Sequence, residues 1–128
     1  MGASEKIGKS LKTAITHTEN SIQALDRNDE DALANSLWHV GAELEYTVFL
    51  LSITMETKPP QLDKSSELKK TENDKLLAKL HESLKEAEGF ITDGKFTDAY
   101  KSAYTAKLCL SKLYDNLARK KCEAGKKG

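Results

Sequence analysis

Helix breakers are scarce in this chain. Its 128 residues include two prolines, adjacent at Pro59-Pro60, and only seven glycines, so long uninterrupted helices are open to it. Aromatic residues make up 6% against 38% hydrophobic and 31% charged, a balance that suits amphipathic helices with Lys/Glu faces better than a sheet sandwich. Two cysteines, Cys109 and Cys122, make neither a disulfide framework nor a paired metal motif, and reduced thiols imply a cytoplasmic protein. Cys109 falls inside a helical pattern, where a small buried hydrophobe is expected; Cys122 falls in a charged, exposed tail.

Charge of one sign is also lacking. Twenty Lys+Arg balance twenty Asp+Glu, so no global field draws in nucleic acid or an acidic membrane. The most apolar run, Val40 to Met55, is shorter than the ~20 residues a spanning helix needs and carries Glu43 and Glu45, which makes it a buried soluble helix. The opening MGASEKIGKS has no apolar signal core, and Lys6 stands where a myristoylation signal needs Ser or Thr. No membrane contact is expected.

What is present is helical periodicity. Ile7, Leu11, Ala14, Thr18, Ile22 and Leu25 recur at steps of four and three, predicting a first helix with Ser4 as N-cap. Asp26-Arg27-Asn28-Asp29 breaks it and caps a second, striped by Leu33, Leu37, Val40, Leu44, Val48 and Leu51. Trp38, Ala42, Phe49 and Ile53 widen that stripe, predicting the most buried helix, in contact with two helices or with a second subunit. The stretch from Glu56 to Asn73 is polar and reads as a linker or a long crossover. Leu77, Leu80, Leu84, Ala87 and Ile91 mark a third helix, which Gly94 ends. Thr97 is expected to cap a fourth, striped by Ala99, Ala103, Ala106, Leu110, Leu113 and Leu117, with Tyr100, Tyr104, Leu108 and Tyr114 to one side. The fold class predicted is all-α: a four-helix bundle made of two long antiparallel helical hairpins joined by a polar linker. Its single domain divides into hairpin one (4–55), linker (56–73), hairpin two (74–121) and a flexible basic tail (122–128). Asp31-Ala32-Leu33 also aligns with Asp98-Ala99-Tyr100 at one constant offset, an echo between the hairpins.

Motifs for catalysis are thin. His39 and Glu43 share a helix face at a spacing that could supply two metal ligands, but the Glu-x-x-His signature of di-iron bundles is missing at His17, His39 and His81. Glu43 and Glu45 lie on different faces and cannot work as an acid/base pair. Gly8-Lys9-Ser10 lacks the preceding glycine and strand of a phosphate loop. No catalytic, cofactor or metal site is therefore expected. Lys101, Lys107, Lys112, Arg119, Lys120 and Lys121 beside Tyr100, Tyr104 and Tyr114 outline a weak RNA-binding stripe, which the neutral charge disfavours.

The segment Ala87 to Lys107 (AEGFITDGKFTDAYKSAYTAK) resembles the tetratricopeptide pattern at Ala87, Phe90, Gly94, Phe96, Ala99 and Ala106. GKFTDAYKSAYTAKLCLSKLYDNL resembles the helical core of HEPN-type proteins, which include ribonuclease toxins and partners of nucleotidyltransferases. The nuclease branch places His a short helical spacing after Arg. Arg27 is too far from His39 for that, and no His follows Arg119, so the resemblance implies a non-catalytic member. The sequence as a whole predicts a non-enzymatic binding or assembly module, homodimeric or with a protein partner, with Trp38, Tyr46, Phe49, Tyr100 and Tyr104 at the interface. A HEPN-like RNA-processing or toxin–antitoxin component is the alternative.

Overall fold

One short corner defines each half of the molecule. In the computed structural model, which describes the backbone of residues 3–55 and 72–127 and the side chains of 4–54 and 72–118, four helices follow in order: α1 (Ala3–Asp26), α2 (Glu30–Met55), α3 (Asn73–Thr92) and α4 (Phe96–Lys127). The linker expected over 56–73 lies outside the described residues up to 71. The backbone of α4 runs on to Lys127 and takes in the basic segment expected as a tail, whose side chains lie outside the described residues.

Each short corner turns on one residue with left-handed backbone. Asn28 (φ 57°) and Gly94 (φ 75°) occupy that conformation, which Gly adopts without steric cost and Asn tolerates better than most residues. After α1 the Asn28 N–H donates to the Leu25 carbonyl and the Asp29 N–H to Ala24; after α3 the Gly94 N–H donates to Ile91 and the Lys95 N–H to Phe90. Both are Schellman closures, satisfying carbonyls that a helix end leaves open. Asp29 then caps α2, its Oδ1 accepting from the Ala32 N–H at 3.1 Å. Ser4 and Thr97, expected as caps, both lie inside their helices. At α4 the chain becomes helical as soon as Gly94 has reversed it, and the Lys95 carbonyl already accepts from the Ala99 N–H.

These corners set the true register between the hairpins. Asn28 corresponds to Gly94, Leu33 to Ala99, Leu37 to Ala103, Val40 to Ala106 and Leu44 to Leu110; all eight helix residues in that set are buried. The alignment of Asp31-Ala32-Leu33 with Asp98-Ala99-Tyr100 is therefore one residue out.

Around the bundle α1 packs on α2 and α3, and α4 on α3 and α2, while the pairs α2/α3 and α1/α4 are diagonal. Glu19 meets His81 across α1/α3, and Glu45 meets Lys107 across α2/α4. Asn73, which opens α3, shares a hollow with Asn28, Asp29 and Glu30 at the α1/α2 corner. The end of α2, a helix about 38 Å long, is thus at the opposite end of the bundle from the start of α3. The crossover reading of the connection holds, and α2 and α3 run parallel.

The core is built from the predicted stripes of α2, α3 and α4, with Ile7, Leu11, Ala14 and Thr18 from α1. Further along α1 the buried face drifts to Ser21 and Ala24, leaving Ile22 and Leu25 half-buried. As expected, α2 contacts two helices, α1 and α4, but it is not the most buried helix, because its far side stays in water. Tyr100, expected at an interface, is 2% exposed. Because α4 sits between α3 and α2, its buried arc is wide enough to draw that ring into the core.

Candidate functional site

The outward face of α2 carries the largest apolar side chains that the bundle does not use. Trp38, Tyr46, Phe49 and Ile53 are 65%, 45%, 59% and 57% exposed. With exposed Ala42 they recur at steps of four, four, three and four residues, which keeps them on one side of a helix over about 22 Å. Three of the five predicted interface residues, Trp38, Tyr46 and Phe49, belong to this face. Tyr104 is half-buried at the α4 side of the bundle, its ring edge-on to Tyr100 at 5.7 Å and beneath the Lys107 ammonium at 5.4 Å. Tyr100 is absent from the surface.

Beside Trp38 the α2/α4 seam opens into a groove of about 450 Å³ lined by Trp38, Gly41, Ala42 and Glu45 from α2 and by Lys107, Leu110, Ser111 and Tyr114 from α4. Gly41 lets α4 come close here, since a Cβ at that position would stand 2.7 Å from the Tyr114 hydroxyl. That hydroxyl donates to the Leu37 carbonyl at 2.8 Å, and burial raises its pKa above the ordinary phenol value. Lys107 pairs with Glu45 at 3.1 Å on the rim. Glu45, Lys107 and the Tyr114 hydroxyl are thus each engaged within the protein, and the rest of the lining is mostly apolar. Helical spacing alone does not mark Tyr114 as a site residue, because it does not reveal that a glycine faces it across the seam.

The histidines and carboxylates are also engaged, in pairings the sequence hides. His39 stacks on His17, ring centroids 4.7 Å apart, and meets Trp38 edge-on at 5.3 Å. Glu43 turns instead to α1, where Ser10 Oγ donates to its Oε2 at 2.5 Å and lies 3.1 Å from its backbone carbonyl. His39 and Glu43 are therefore not joined in a ligand set, and among the described residues no three His, Cys, Asp or Glu side chains converge. His17 and His39 are equidistant from Asn28 along the chain, a signal that a hairpin centred on that residue would bring them together. On α4, Lys101 shares a shallow hollow with Lys79, Glu82 and Glu86 while Lys107 faces α2, so these two of the cations expected as a stripe point to different neighbours; the side chains of Arg119, Lys120 and Lys121 lie outside the described residues. No helix among the described residues is long and apolar enough to cross a membrane.

No family model, curated protein or solved structure matches the chain.

Proposed function

We propose that the protein is a non-enzymatic binding or assembly module that works through protein–protein contact at the exposed face of α2. One observation carries this reading. The second hairpin repeats the scaffold of the first in register, so each outward position of α2 has a counterpart on α4. Trp38 and Ala42 have apolar counterparts in Tyr104 and Leu108, but where α2 presents Tyr46 and Phe49, α4 has Lys112 and Asp115. The fold accepts charges at these positions, so the aromatic face is not a requirement of the bundle. Solitary exposed apolar residues are ordinary, whereas a contiguous run of four large ones marks a surface that another protein covers.

Photo-crosslinking in extract from the native source tests this reading. With Phe49 replaced by a benzophenone-bearing phenylalanine, irradiation is expected to give a discrete crosslinked protein. The same replacement at Asp115, the matched position on α4, is expected to give none. Equal background at both positions would overturn the proposal.

A further inference from the structure

The α2 face is not uniform along its length. Toward the α1/α2 corner it is concave: Gly41 and Ala42 form a floor, with Trp38, Leu110 and Tyr114 around it. Two turns further on it is convex, with Phe49 and Ile53 standing out into water. Hole and knob lie about 10 Å apart on one helix. The spacing is also the same from either end: Trp38 and Ala42 stand as far on one side of the Glu45-Tyr46 bond as Ile53 and Phe49 stand on the other.

A surface with this property fits itself when turned about a two-fold axis, the condition for an isologous contact. We propose that the partner of this face is a second copy of the chain, with the two α2 helices antiparallel and the axis beside Glu45 and Tyr46. This pairing rests on the proposed function and names its partner. Phe49 of each copy enters the groove over Ala42 of the other, the large-against-small matching that fills a seam without voids. Ile53 covers Trp38, and the Tyr46 hydroxyl faces Glu45. The two Glu45 carboxylates that approach near the axis are each neutralised on their own chain by Lys107 at 3.1 Å.

The exposed area approaches what a dimer needs. Aromatic side chains bury roughly 150–250 Å² each, and the three aromatics and one isoleucine on this face are about half exposed, leaving about 400 Å² per copy to cover. Two copies thus contribute about 800 Å² from these four side chains, to which Ala42, Glu45 and the groove rim add toward the ~1,200 Å² at which stable interfaces begin.

Sedimentation equilibrium of the purified 128-residue chain at micromolar concentration is expected to give a dimer. Phe49→Lys and Ala42→Glu, both at exposed positions, should each weaken self-association at least tenfold while leaving the helical circular dichroism unchanged. Mixed in equal amounts, the two variants should form a heterodimer, because the introduced lysine and glutamate then face each other at one contact while the other contact stays native. A monomeric wild type, a dimer indifferent to both substitutions, or variants that stay monomeric on mixing would overturn this pairing. A monomeric wild type whose crosslinker at position 49 captures a different protein overturns the pairing and leaves the proposed function standing; absence of any crosslink at that position overturns the proposed function itself.

Discussion

The Tyr100 hydroxyl is buried and lacks a hydrogen-bond partner among the described residues. A buried polar group left unpaired costs about 1–3 kcal/mol, and the Tyr100 ring already has its packing within the core. Tyr100→Phe is therefore expected to raise unfolding stability by about 1 kcal/mol, read as a higher urea midpoint at unchanged slope. A lower midpoint would mean that the hydroxyl is satisfied in solution. Helical spacing located this residue beside the Ala99, Ala103 and Ala106 seam, yet it could not say that two neighbours would widen the buried arc to include it. Trp38 and Phe49 show the opposite case. The sequence marked them as apolar surplus and assigned them to burial or a subunit contact, but which side of α2 faces α1 and α4 is settled only by packing.

At the scale of the helix, the stripes of α2, α3 and α4 were legible because apolar residues at three- and four-residue steps leave one face to bury. Both corners could also be located, from the Asp26 to Asp29 cluster and from Gly94. The cap of α2 was legible too, since Asp29 belongs to that cluster, whereas Ser4 and Thr97 were not distinguishable from caps, because Ser and Thr near a helix start serve equally well inside its first turn. Helical glycines separate local propensity from packing. Gly8 and Gly89 have open space where a Cβ would be, whereas Gly41 faces the Tyr114 hydroxyl at 2.7 Å. Gly8→Ala and Gly89→Ala should each stabilise by roughly 0.5–1 kcal/mol in thermal unfolding. Gly41→Ala gains the same propensity but displaces Tyr114 from the Leu37 carbonyl, so it should show no net gain until Tyr114 is itself replaced by Ala. Simple additivity of Gly41→Ala with Tyr114→Ala would contradict the close approach of α4 at this seam.

The arrangement of the four helices was the least legible level, because a polar linker of that length permits several orders around the bundle. Pairings remote in sequence decide it: Glu19 with His81, Tyr114 with Leu37, and Asn116, which donates to Asn73. Closing the bundle also buries groups that respond to alkali. Burial raises the pKa of Cys109, with Lys79 opposing it in part, and burial raises that of Tyr114. Both are acids held protonated in the fold, so at high pH the unfolded chain releases these protons first. Their contribution is intact below the ordinary thiol value of 9.0 and is lost as pH rises past it. The urea midpoint should accordingly fall above about pH 9. Cys109→Ala should make that fall shallower, and adding Tyr114→Phe should flatten it further by a smaller amount, since Tyr114 is partly in water. An identical fall in the wild type and both variants would exclude these groups as the cause.

Trp38 is the single tryptophan of the chain, and it stands at the rim of the α2/α4 groove with its indole edge against His39. The molecule consequently carries its own optical probe at the proposed contact face, and the core contributes no second indole to mask it. Emission from that ring distinguishes a wet face from a covered one with no label attached, so occupancy of the surface can be read in the unmodified protein.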